Sequence, residues 1–177
     1  ESSVMYLSFP EFSIPNIKKY LTSDVKIIIM LRNPIERAFA GYLHNLRYNS
    51  SENLTFKEAI VSSEDRYYAN KEMTPDTRYL HVGEYYSQVK EFISVFKENT
   101  HVIFYDDYVS NINLCLDQVF AFLGVKNIHI DTSIRHMQGG WMFKNKFFRN
   151  LLIPQNNVKT MFKSLLPFQA LRSFLKK

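Results

Sequence analysis

The sequence predicts an α/β fold in which a parallel β-sheet is flanked by helices. Three features carry that prediction. The apolar run Ile27, Ile28, Ile29, Met30 and Leu31 has the length of a strand buried on both faces, and it passes directly into helical periodicity. A helix-then-strand alternation recurs over residues 84–105, and strands that run parallel need crossovers of that kind. The 177 residues, 46% hydrophobic and 22% charged, can bury one sizeable core and contain no repeats or low-complexity linkers. A single domain over residues 1–177 is expected, with 158–177 as a helical tail. The two strands read here are part of a larger sheet that the chain does not show whole.

Each element has its own signal. Residues 25–31 are the first strand, and Pro34 stands where a helix begins, since the first helical turn has no partner for the N–H that proline lacks. The helix that follows sets Ile35, Ala38, Phe39, Tyr42, Leu43 and Leu46 on one stripe at the spacing of a buried face. Residues 49–53 form a polar loop. Thr55 with Glu58 three residues later reads as a capping box opening a short helix that fades before Asp65. Residues 63–83 are less regular. A second helix spans 84–99 with Tyr85, Val89, Phe92, Ile93 and Phe96 inward, followed by a strand over 101–105 and the acidic pair Asp106 and Asp107. A third helix, 112–123, is stopped by Gly124.

Composition narrows the function classes. A formal net charge of +5 favours an anionic partner: a phosphorylated cofactor, a nucleic acid, an acidic glycan or a membrane surface. The single cysteine, Cys115, excludes an internal disulfide framework and a Cys-rich metal site, and its apolar helical setting reads as a buried thiol. No apolar run approaches the roughly 18 to 20 residues of a membrane-spanning helix, and the first residues, ESSVMYLSFPEF, lack the regions of a signal peptide. The chain opens without an initiator methionine, so the sequence reads as a fragment.

Arg32 is the most informative position. In open parallel sheets ligands sit outside the carboxyl ends of the strands, and Arg32 falls at that end, beside the positive terminus of the following helix. A guanidinium there can bind a phosphate through two parallel hydrogen bonds. It can equally pair with Glu36 or with a carboxylate from elsewhere in the fold. Spacing alone leaves both open.

Residues 26–42, KIIIMLRNPIERAFAGY, resemble the 3'-phosphate-binding strand and helix of sulfotransferases that use 3'-phosphoadenosine 5'-phosphosulfate (PAPS). The resemblance continues in the family's order. Residues 1–7, ESSVMYL, are similar to its short serine-containing strand segment. YLHVGEY at 79–85, VIFYDDY at 102–108 and VFAFLGV at 119–125 follow as its Gly-x-Tyr helix, its strand with an acidic end and its Phe-Leu-Gly helix terminus. QGGWMFKNK at 138–146 resembles the late basic loop that closes over the 3'-phosphate and adenine. The order over residues 1 to about 155 is far more specific than any one motif. The resemblance implies a P-loop-type parallel sheet, partial here, with the amino-terminal strand and phosphosulfate loop absent. It also implies that Arg32 binds the 3'-phosphate of PAPS, that Lys144 and Lys146 reinforce it, and that Gly139 and Gly140 let the backbone pass close to the ligand.

Two departures stand out. The family carries a serine eight residues after the arginine, and here that position is Ala40. No glycine of the chain begins a phosphosulfate-binding loop, so the chain looks like the carboxyl-terminal portion of a sulfotransferase. The reaction implied is transfer of a sulfuryl group from PAPS to a hydroxyl or amine, with no metal needed. The segment order is closer to bacterial and heparan-type carbohydrate enzymes, which makes a glycan the implied acceptor. The catalytic base is not identified: His44 and His81 read as surface or satisfied histidines, and Ser2 stands where some relatives carry a lysine.

The remaining signals are weaker. Asn49 and Asn53 each begin a glycosylation triplet of a kind common by chance. The tail VKTMFKSLLPFQALRSFLKK mixes apolar and basic residues; it can pack on the domain or make peripheral contact with an anionic membrane, and Pro167 divides it. The alternative to an enzyme is a remnant that binds nucleotide or glycan without transfer, supported by Ala40 and the missing loop. No specific nucleic-acid binding is expected, because the aromatics fall at core spacing and not among basic residues. Oligomeric state is left open. So is compartment, cytoplasmic for a bacterial protein and a secretory lumen for a eukaryotic one.

Overall fold

The computed structural model describes residues 3–22, 24–48, 52–69 and 75–133. Two parallel strands, β1 (Ile27–Leu31) and β2 (Thr100–Phe104), lie side by side with Ile27 opposite Thr100 and Leu31 opposite Phe104. Both carboxyl ends therefore point the same way, and each feeds a helix. Residues 25 and 26, assigned to the first strand from sequence, precede it, and Tyr105 opens a helix instead of ending the second strand.

One face of the sheet carries the main core. Ile29 and Leu31 pack with Phe92 and Phe96 of α6 (Tyr85–Phe96) and with Ile14 of α2 (Pro10–Tyr20). Phe92 is 2% exposed, a burial that contributes roughly 2 to 3 kcal/mol. The opposite face is only partly covered. Helix α8 (Ile112–Leu123) lies against β2, where Ile103 is buried and the His101 ring stacks on Phe122 with centroids 5.1 Å apart. Ile28 and Met30 on β1 stay 42% and 49% exposed. The expectation of a first strand buried on both faces is thus corrected: the run is apolar on both sides, but among the described residues only one of its sides is buried.

The chain reaches the sheet through two helices that the sequence did not announce. Helix α1 (Val4–Ser8), capped by Ser3, occupies the segment compared above with a strand, and α2 starts with Pro10 at its first position. Ser13 ties the pair together by donating to the carbonyls of Tyr6 and Phe9. The prolines at 10 and 15 weakened the helical signal, although the first of them suits a helix start.

Helix α3 (Pro34–Tyr48) builds a second, smaller core with α4 (Phe56–Val61) and Tyr79. Ala38, Tyr42, Ala59 and Tyr79 are buried there, while Leu43 and Leu46 are half-buried. The predicted stripe is wider than its cover: Ile35 is 74% exposed and Phe39 46%, although Phe39 still meets Phe56 edge to face at 5.0 Å. The capping box is present as read. The Thr55 hydroxyl accepts from the Glu58 amide, and the Glu58 carboxylate accepts from the Thr55 amide. That helix ends at Val61, before Asp65 as read from sequence, and a separate helix, α5 (Ser63–Ala69), follows it. At the other end, α7 (Tyr105–Ser110) takes Asp106 and Asp107 into its first turn, and α8 stops at Gly124 with φ +68°, a conformation glycine adopts without steric cost.

Candidate functional site

The carboxyl ends of β1 and β2 bring three helix starts together: α3 after Arg32, α6 at Tyr85 and α7 at Tyr105. Asn33 caps α3, its side-chain oxygen accepting from the amides of Ile35 at 3.0 Å and Glu36 at 3.4 Å. This Asx cap satisfies amides that a helix start otherwise leaves free, and it fixes the chain's turn from strand to helix directly after Arg32.

The Arg32 guanidinium has contacts on one edge and one face. One oxygen of Glu36 accepts from Nε at 3.1 Å and from Nη2 at 3.0 Å. The Tyr105 ring stands 5.1 Å from the guanidinium carbon, within cation–π range. Nη1 makes no hydrogen bond among the described residues, and the side chain is 37% exposed. The pair with Glu36 that the sequence offered for Arg32 is formed. It leaves the outer corner of the guanidinium open to solvent.

Arg37 lies deeper. Its Nη2 donates to the Tyr79 carbonyl, its Nε is buried without a hydrogen-bond partner, and no carboxylate faces it among the described residues. Burial lowers its pKa, partly offset by the phenols of Tyr85 and Tyr79. The Tyr85 phenol is raised by burial, against the opposing pull of Arg37, of a backbone hydrogen bond from Arg32 and of the Arg32 charge. Gly83 closes this layer. A Cβ there would stand 3.2 Å from Pro34 Cβ, so glycine allows the turn before α6 to lie against the start of α3.

Beneath α3 sits a buried polar cluster that periodicity could not reveal. Glu52, 0% exposed, accepts from Tyr79 Oη at 2.7 Å and from Arg66 Nη1 at 3.2 and 3.3 Å. Tyr79 Oη also accepts from Asn45 Nδ2 at 3.2 Å. A carboxylate this deep needs such donors. The cluster anchors the middle of α3 and, through the Tyr79 carbonyl, Arg37. On the other side of Tyr85 an open apolar groove of about 580 Å³ runs along Leu31, Val89, Ile93 and Phe104. Its walls offer binding surface and little that moves a proton.

The other sequence candidates fall as follows. His81 is tied by its Nε2, 3.0 Å from the Ser8 carbonyl oxygen, and packs on Phe9, so it is a structural link between α1 and the turn before α6. His44 is exposed on α3. Cys115 is buried, and burial raises its thiol pKa. Gly139, Gly140, Lys144, Lys146 and the tail at 158–177 lie outside the described residues. Glu36 was read from sequence as a partner for Arg32, whereas Tyr105 and Tyr85, which meet Arg32, and Arg37, which meets Tyr79 and Tyr85, were not singled out as site residues. An aromatic directly after a strand end was the available signal for Tyr105.

The comparisons with known proteins bear on this arrangement directly. The family described as "Sulfotransferase domain" matches residues 10–165. The chain belongs to the sulfotransferase domain family. The sulfotransferase of Alicyclobacillus acidocaldarius, known from a crystal structure, is 35% identical, with a TM-score of 0.66 over 76% of this chain. The aligned region covers 53% of that protein, so this sulfotransferase domain spans about half of its length. No curated protein matches the chain. The small open parallel sheet with helices on it agrees with a partial sulfotransferase fold, and the strand-to-helix passage at Arg32 lies within the matched region.

Proposed function

We propose that this chain carries the 3'-phosphate half of a PAPS site and contributes to sulfuryl transfer onto a hydroxyl or amine, with a carbohydrate as the acceptor class. The observation that supports it best is the setting of Arg32: a half-exposed cation at the carboxyl end of a parallel strand, beside a helix start and with Nη1 unbonded. That donor set suits a phosphate, since the guanidinium supplies charge and directed N–H groups while the helix start adds partial positive charge.

PAPS, when bound, supplies the sulfuryl group and leaves as adenosine 3',5'-bisphosphate. This chain's own part is positional. Arg32 binds the phosphate remote from the reacting centre, and binding energy spent there orients what reacts elsewhere. Tyr105 limits the guanidinium's motion from one face, and the Asn33 cap holds the turn that carries it. Lys144 and Lys146 add flexible point charges, with Gly139 and Gly140 giving the backbone close approach. Ala40 contributes no hydroxyl. A binding-only remnant is the second reading, favoured by Ala40.

Calorimetric titration with adenosine 3',5'-bisphosphate tests the proposal, beside adenosine 5'-monophosphate and the Arg32→Ala variant. The bisphosphate should bind, the monophosphate far less, and Arg32→Ala should abolish the difference. A folded chain that binds neither nucleotide at millimolar concentration refutes the cofactor site. Sulfate transfer to glycan fragments, followed in the longest protein that contains this chain, then separates the enzyme from the remnant.

A further inference from the structure

The anion site at Arg32 already contains an anion. Glu36 is the third residue of α3, close to the positive helix start where a bound phosphate gains most, and its carboxylate takes the Nε and Nη2 edge of Arg32 through a single oxygen. That edge is one of the two with which a guanidinium grips a phosphate bidentately. The pair is 37% and 57% exposed. An ion pair one helical turn apart and open to water holds its partners weakly. Its charge is another matter. At about 3 Å from Arg32, the Glu36 carboxylate lies well inside the Debye length of roughly 8 Å from any phosphate that Arg32 binds.

We infer that Glu36 is a displaceable latch on Arg32, an internal stand-in for the phosphate that sets how tightly the site holds its ligand. Taking the ligand to be the nucleotide rests on the function proposed above; the latch itself rests on the pair. Displacement exchanges a weak internal ion pair for a stronger external one, and the released carboxylate then stands beside the bound dianion and favours its departure. Glu36 is a positioning residue: it touches Arg32 and not the reacting atoms. Two substitutions separate its charge from its reach. Glu36→Gln keeps the length and removes the charge, while Glu36→Asp keeps the charge and withdraws it by one methylene.

The experiment titrates adenosine 3',5'-bisphosphate into the wild-type chain and both variants while following the Arg32 Nε–H resonance by NMR. Glu36→Gln should tighten binding about tenfold at physiological salt, Glu36→Asp by less, and the gain should shrink at about 1 M salt, where the Debye length is about 3 Å. On saturation the wild-type Arg32 Nε–H signal should leave its Glu36-bonded position. Equal or weaker binding by Glu36→Gln, or an unmoved signal at saturation, overturns the latch and makes Glu36 a purely structural carboxylate. If neither chain binds the bisphosphate, the nucleotide reading fails by itself, and inorganic phosphate followed at the same resonance decides the latch: a lower apparent Kd in Glu36→Gln upholds it, and an equal or higher one overturns it.

Discussion

Replacing Tyr79 by phenylalanine removes one oxygen from the most deeply buried polar cluster described here and leaves the ring in place. The ring is 1% exposed and meets Tyr42 edge to face at 6.3 Å, a contact the variant keeps. The hydroxyl donates to Glu52 at 2.7 Å and accepts from Asn45 at 3.2 Å, and those residues are 0% and 2% exposed. A hydrogen bond to a charged acceptor is worth about 1.5 to 3 kcal/mol net, and leaving the buried Asn45 donor without that acceptor costs on the order of 1 kcal/mol more. The expected loss is about 3 kcal/mol, a large share of the roughly 5 to 15 kcal/mol that stabilises an ordinary domain. Urea unfolding followed by circular dichroism reads it directly. With a slope of about 2 kcal/mol per M the midpoint should fall by about 1.5 M. The same phenol makes a second, independent claim. Burial, reinforced by Glu52 and opposed by Asn45, pushes its pKa far above the ordinary value of 10.0. The unfolded chain therefore releases this proton near pH 10 while the folded chain keeps it, and stability falls as pH rises past that point. Tyr79→Phe should lose that alkaline component. A midpoint shift below about 0.3 M, or an alkaline limb identical in both proteins, refutes the view that Tyr79 anchors Glu52.

Two further outcomes follow from local chemistry. Hydrogen bonds from the Thr55 hydroxyl and then from its backbone lower the Glu58 pKa below 4.5, so the stability they supply is complete above that pH and disappears as pH falls through the depressed folded value. Thr55→Ala should lower the urea midpoint at neutral pH and flatten the acid limb, and an unchanged limb would show that the capping box is not formed in solution. Under the proposed function, Ala40→Ser restores a hydroxyl on α3 eight residues after Arg32; a hydrogen bond to a phosphate oxygen, about 1.5 to 3 kcal/mol, should tighten adenosine 3',5'-bisphosphate about tenfold or more in calorimetry. No change there would mean that the hydroxyl does not reach the ligand.

Local signals were legible where one residue satisfies its own neighbours. Pro34, the Thr55 and Glu58 box and Gly124 each mark a helix end by backbone chemistry confined to a few residues, and each stands where the sequence put it. The parallel pairing followed from the alternation of strands and helices. Helix α2 escaped because the prolines at 10 and 15 were stronger signals than its weak apolar periodicity. The exposed ends of the α3 stripe escaped for a different reason: periodicity reports which side chains would be buried if something covered them, and it is silent on whether anything does.

The sequence by itself determined that the chain folds as helices on a parallel sheet and that a cation follows the first strand, because backbone hydrogen bonding and apolar periodicity are properties of neighbours along the chain. Only the tertiary structure decided what that cation meets. Glu36, one turn further along α3, was within reach of a sequence reading, but Tyr105 comes from the end of the second strand and Tyr85 from the start of α6, and their approach to Arg32 depends on the crossover that sets Leu31 beside Phe104. Glu52 likewise reads as an ordinary loop carboxylate until Tyr79 and Arg66 close over it. Charge interactions act through space, so their partners are fixed by packing and not by order in the chain.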